Sequence, residues 1–168
     1  MYDAGAKTTQ IDSAARAIHQ GQSIGELLQA SSSLYLRSYG AEGQLTSVSF
    51  RGTTPNQTQV SWKGIDVNSQ TLGQSDFSSI PSFLFNSVSL HHGASSTLFG
   101  SGAVGGVVDL TNKMQSGIFA QINQQIGSFG KVFTGVKGQF STFRWGVQIA
   151  GVRNRVENNF EVDFRGDS

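Results

Sequence analysis

The chain has 168 residues, enough for one domain with a real core and part of another. Only 14% of the residues are charged and 37% hydrophobic, with 21 glycines and a formal net charge of +1, whereas an average soluble domain carries about 25% charge. That balance excludes a helical bundle rich in Leu, Ala, Glu and Lys and a strong electrostatic grip on nucleic acid, and the absence of cysteine excludes disulfide frameworks, Cys-ligated zinc and thiol catalysis.

In chain order, the N-terminal stretch MYDAGAKTTQ lacks the charged-then-apolar pattern of an export leader, so an exported form has already lost one. Asp12 to His19 reads as a short helix with Ala14, Ala15, Ala17 and Ile18 inward. Ser23 followed by Glu26 has the capping-box spacing, and Ile24, Leu27 and Leu28 then fall on one helical face. The pattern next turns strand-like at Leu34–Arg37, Ser47–Phe50, Gln59–Trp62, Ser87–Leu90 and Gly106–Leu110, with Gly-, Asn- and Ser-rich loops between. The polar stretch Asn68–Ser75 is a long loop of the kind that carries function.

After Lys113 the pattern changes. Gly117–Ile126 alternates Ile118, Ala120, Ile122 and Ile126 with Gln121, Asn123 and Gln125. Lys131–Phe140 sets Val132, Thr134, Val136 and Phe140 against Lys131, Lys137 and Gln139. Phe143–Val152 sets Phe143, Trp145, Val147 and Ile149 against Arg144, Gly146 and Gln148. Short connections at 127–130 and 141–142 make this an antiparallel meander. The length and alternation match transmembrane β-strands of about 9–11 residues, and Phe143 with Trp145 suits an aromatic girdle. Taken alone, the strands favour a soluble meander with its apolar face on a core. In both arrangements three strands cannot close, and edges remain.

Gly100-Ser101-Gly102-Ala103-Val104-Gly105 has the G-x-G-x-x-G spacing, but a dinucleotide site needs a helix after the glycines, and here a β-branched strand follows. His91 and His92 are adjacent, point to opposite faces of a strand and cannot share a metal, while His19 stands alone. No G-x-S-x-G elbow is present, and Asp66, Asp76 and Asp109 lack a paired spacing for acid–base work. Tyr35 and Phe50 have no basic stripe beside them and read as packing residues, not base-stacking platforms. The expectation is therefore no catalytic site, no metal and no cofactor.

The remaining features come in a fixed order: SIGELLQ, then LYLRSYGAEGQLTSVSFRGTTPNQTQVSWKGIDVNS, then DFSSIPSFLFNSVSLHHGASSTLFGSGAVGGVVDLTNK. This order resembles the plug of TonB-dependent outer-membrane receptors over about Thr9–Lys113. The matching parts are the short helix at Ser23–Gln29, a strand ending in Arg51-Gly52, Ile80-Pro81, and S-x-x-x-G-x-x-A-x-G-G-V from Ser96 to Val107. From Gly43 to Asn68 the layout is similar to the vitamin B12 receptor subgroup. Two positions depart from the pattern: Lys63-Gly64 stands where the family has Asp-Gly, and His92-Gly93-Ala94 where it has Arg-Gly. In the family those charges lock the plug to the barrel wall, so the lock is expected to be weaker or made differently here.

The resemblance implies an α+β plug domain, with short helices on a small mixed sheet, over residues 8–113. An antiparallel β-meander over 114–168 would then open a transmembrane β-barrel whose remaining strands this chain lacks. It implies the gate of a non-enzymatic transporter in the outer membrane of a Gram-negative bacterium, importing a scarce nutrient such as a ferric siderophore or a cobalamin. The implied partners are TonB (through a segment upstream of Met1, on the periplasmic side), the rest of the barrel, outer-membrane lipid and a small nutrient ligand, with no nucleic acid. Ligand contact is expected at Ser69, Gln70, Thr71, Leu72 and Gln74, and at Thr97, Leu98 and Phe99, where the aromatic ring offers contact area at low entropic cost. Arg51 is the expected plug–barrel contact, to a carboxylate on the wall. A soluble β-rich binding or adhesion module is the alternative, and it requires Ile118, Ile122, Val147 and Ile149 to be protected from solvent.

Overall fold

The computed structural model describes residues 7–38, 45–50, 52–69, 73–93, 103–127 and 130–155. The chain forms β1 (Thr8–Gln10), α1 (Ser13–Ile18), α2 (Ile24–Ser31), β2 (Tyr35–Ser38), β3 (Thr46–Ser49), β4 (Thr58–Trp62) and β5 (Ile65–Asp66). After them come β6 (Ser87–His92) and β7 (Gly106–Thr111), then three ten-residue strands, β8 (Gly117–Ile126), β9 (Val132–Ser141) and β10 (Gly146–Arg155). No described helix is long and apolar enough to cross a membrane.

α2 starts where the sequence places its cap. The Ser23 hydroxyl accepts from the Glu26 amide at 3.2 Å and the Glu26 carboxylate accepts from the Ser23 amide at 2.8 Å, satisfying two donors a helix start otherwise leaves bare. Its 24/27/28 face is fully buried against Val48, Phe50, Val60, Phe77, Val88, Leu90, Val108 and Leu110. Each such side chain contributes about 1.5–3 kcal/mol of burial. The floor of this core is a mixed five-stranded sheet in the order β1-β6-β7-β4-β5, in which only the β4–β7 pair is parallel. β2 and β3 form a separate antiparallel pair.

α1 packs on a different face from the expected one. Ile18 is 73% exposed, and Ala14 and Ala17 are exposed as well. The half-buried positions are Ala15, Arg16, His19 and Gln20, spaced i and i+4 on the side toward the long strands. Alanine tolerates either side, so three of the four predicted inward residues carried little directional information.

β8, β9 and β10 form the predicted antiparallel meander in the order β10-β9-β8. β10 begins at Gly146 and not at Phe143, because Thr142 and Trp145 close a turn: the Thr142 amide donates to the Trp145 carbonyl at 2.7 Å, and the Thr142 hydroxyl accepts from the Trp145 amide at 3.2 Å. Phe143 rides fully exposed on that turn, with exposed Trp145 and half-exposed Phe140 at the same end.

The register puts the aliphatic residues on one face and Lys137, Gln139, Gln121 and Asn123, with Phe119 and Phe133, on the other, and the aliphatic face is the bare one. Ile118 is 83% exposed, Ile122 77% and Ile149 73%, and Val147 is more than half exposed too. On the opposite face Lys137 is 4% and Gln139 7% exposed, buried against the helix-and-sheet unit beside Phe133. A soluble meander would bury the first set and wet the second. The requirement of the soluble alternative therefore fails at all four of the residues on which it rests.

Candidate functional site

Asn68 ties the base of the polar loop to the sheet. Its Oδ1 accepts from the Val60 amide at 3.1 Å and the Ser75 hydroxyl at 2.9 Å, and its Nδ2 donates to the Thr58 carbonyl at 3.0 Å. The Asp66 carboxylate holds the Asn68 amide at 2.8 Å, the two-residue reach of an Asx turn. Ser69 and Gln74 meet at the neck of the loop, where the Ser69 amide donates to the Gln74 carbonyl at 3.3 Å and the Gly73 amide to the Ser69 carbonyl at 2.7 Å. Both predicted ligand residues are half-buried, so only part of each side chain faces out. Gln70, Thr71 and Leu72 lie outside the described residues, as do Thr97, Leu98, Phe99 and Arg51.

Asp76 fastens the far side of the loop. Its Oδ1 accepts from the Thr46 amide at 3.1 Å, the Ser78 amide at 3.0 Å and the Ser78 hydroxyl at 2.7 Å. Partial burial raises this carboxyl, but the Ser78 hydroxyl and the Thr46 and Ser78 amides outweigh it and hold the pKa below the ordinary 3.8. Because the folded value is depressed, the contribution of Asp76 is complete above the unfolded value and is lost as pH falls through the folded one. Asp76→Ala is expected to cost about 1–3 kcal/mol at neutral pH by stranding three donors. Urea unfolding of both forms should show that gap closing as pH drops below 3.8, and a gap that widens instead would refute the role.

Toward the opposite edge of the sheet, His91 and His92 point to opposite faces, as the strand pattern requires. The His91 ring meets the Thr8 hydroxyl at 3.1 Å, and the His92 ring meets the Thr9 hydroxyl at 3.2 Å while standing edge-on to Phe50 at 5.2 Å. Burial, and then the charges of Lys7 and His91, keep the pKa of His92 below the ordinary 6.5. Both imidazoles hold the edge strand β1 in place. Among the described residues no group of three His, Asp or Glu is placed to hold a metal ion.

The seam between the helix-and-sheet unit and the meander is largely polar. Gln20 Oε1 accepts from Gln121 at 3.1 Å and Asn123 at 2.6 Å. Gln139 donates to the Gln115 carbonyl at 2.5 Å, and Lys137 donates to Asn86 Oδ1 at 3.0 Å. Phe83 packs edge-on to Phe133 at 6.0 Å and covers Gly135, where an added Cβ would lie 2.9 Å from its ring. None of Gln20, Phe83, Asn86 or Lys137 was singled out from the sequence as a contact. The one legible signal was a lysine on the polar side of an otherwise apolar strand.

Residues 1–107 match the family model described as TonB-dependent Receptor Plug Domain. The chain is 35% identical over 130 residues to the vitamin B12 transporter BtuB of Photobacterium profundum, a match covering 76% of this chain and 21% of that protein. It is 30% identical over 131 residues to the vitamin B12 transporter BtuB of Vibrio cholerae, covering 73% and 21%. The fold is similar to that of the siderophore receptor PiuA from Acinetobacter baumannii, with a TM-score of 0.70 at 15% identity over 89% of this chain and 20% of that one. The chain spans 21% of the length of these two curated relatives.

Proposed function

The chain belongs to the TonB-dependent receptor plug family, and from that premise we propose that it forms the gate and first wall strands of an outer-membrane transporter for a scarce nutrient such as a cobalamin or a ferric siderophore. Residues 8–113 are the plug and 114–168 the opening of the barrel. The observation that carries this is the inverted polarity of the meander. Its apolar face is bare, as lipid contact requires, while its polar face is keyed to the plug through Gln20, Asn86 and Phe83. A seam built from amides can be released without stripping a large apolar surface, which suits a gate that must open.

In the intact transporter the N-terminus faces the periplasm and TonB engages a segment upstream of Met1. Arg51 contacts a carboxylate of the wall, and the nutrient meets the segments Ser69–Leu72 with Gln74, and Thr97–Phe99. The 35% and 30% identities to vitamin B12 transporters favour a cobalamin. No catalytic chemistry and no cofactor is assigned to the chain.

Phe99→Ala tests the ligand segments. In the complete receptor it should weaken cyanocobalamin binding about tenfold or more, as loss of an aromatic anchor does, with the thermal transition unchanged. Calorimetric titration with cyanocobalamin and with a ferric siderophore reads this directly. An affinity that Phe99→Ala leaves untouched for the ligand that binds removes Phe99 from the site, and binding of neither ligand refutes the nutrient class.

A further inference from the structure

A cavity of about 360 Å³ lies in the seam between α1, the connection before β8, and the inward faces of β8 and β9. Among the described residues its wall carries three cations, Arg16, Lys113 and Lys137, and no Asp or Glu. Lys137 is only 4% exposed, and the partners of its ammonium are neutral: Asn86 Oδ1 at 3.0 Å and the Phe83 ring 4.9 Å from the nitrogen. Arg16 Nε is buried with no acceptor among the described residues. An ammonium withdrawn from water needs an anion or a full set of acceptors, and one amide oxygen with one ring face supplies neither. Arg16 belongs to the plug and Lys137 to the wall, so as they stand two like charges face each other across the seam.

We propose that this cavity binds a small oxyanion, a phosphate or carboxylate group, which bridges Arg16 of α1 to Lys137 of β9 and pins the plug to its wall. Two charge-assisted bonds would replace the repulsion, and the buried guanidinium N–H would gain its acceptor. The anion has two sources with the same chemistry: free phosphate, or a carboxylate side chain from a wall strand beyond β10. Seating of the plug then depends on anion occupancy, whichever nutrient is carried.

The test compares sodium phosphate with sodium chloride at equal ionic strength, following thermal unfolding by tryptophan fluorescence in detergent. It is run on this 168-residue chain and on a complete receptor containing it. Phosphate at 10 mM should raise the melting temperature of the chain by about 3 °C or more, and Arg16→Gln and Lys137→Gln should each abolish the rise. A rise in both proteins identifies free anion as the occupant. A rise in the chain with none in the complete receptor identifies a wall carboxylate already in place. No rise in either protein, or a rise that survives both substitutions, overturns the site. Arg16 sits on a short, half-exposed helix, so Arg16→Gln keeps the test decisive if Lys137→Gln fails to assemble.

Discussion

Ile122→Lys in the complete receptor is expected to cost about 2–4 kcal/mol of folding stability in a phospholipid bilayer, enough to halt insertion of a marginal barrel. Ile122 stands near the middle of β8, opposite Val136 of β9, and both side chains leave the sheet on its bare face. In a soluble protein the same change, at a residue 77% exposed, would fall within about 0.5 kcal/mol of neutral and would improve solubility. The two environments therefore predict different outcomes for one substitution. Folding titrations into vesicles, scored by the heat-dependent gel mobility of barrels, read the difference. Ile149→Lys on β10 should behave alike, because it lies on the same face two strands away. Lysine tolerated at both positions in lipid would place this face against protein and reverse the assignment of the wall.

That contrast also shows how far the sequence could be read. Period-two alternation tells which residues share a face, and the register sets Ile118 opposite Phe140 and Ile122 opposite Val136 on one such face. It does not tell which face is buried, because the answer depends on the solvent and not on the chain. A rule drawn from soluble sheets gives the opposite answer. The capping box at Ser23 and Glu26 was legible because it is a purely local bargain between neighbouring donors and acceptors. The start of β10 was not, since Phe143 and Trp145 continue the alternation while the hydrogen bonds of Thr142 end it. Of the candidate site, Ser69 and Gln74 could be placed on one loop, but the Asn68 and Asp76 contacts that set its base join residues up to thirty positions apart. The cationic cavity was hidden for the same reason. Arg16, Lys113 and Lys137 come from three separate segments and meet only after the meander folds back over α1.

Gly106→Ala should disable the plug altogether, and here the cause is backbone geometry. Gly106 opens β7 at a φ of +150°, within the range that L side chains rarely adopt, and it is paired on both sides, to Thr58 of β4 and His92 of β6. A Cβ built there would lie 2.6 Å from the His91 carbonyl oxygen and 2.6 Å from Cε2 of Phe50. The strained backbone and the overlap together cost about 3 kcal/mol or more, a large share of the stability of a small domain. The two contacts can be separated experimentally. Phe50→Val added to Gly106→Ala removes the ring overlap but leaves the carbonyl and the φ, so it should restore only part of the loss. Gly138→Ala on β9, where a Cβ meets nothing within 4 Å, should be close to neutral. Denaturant unfolding of the four proteins reads all of this. Full recovery in the double variant would make the Phe50 ring the whole obstacle. A Gly106→Ala protein as stable as the parent would mean that the strand can shift. The run of glycines ending here would then owe its place to something other than the close approach of β6, β7 and Phe50.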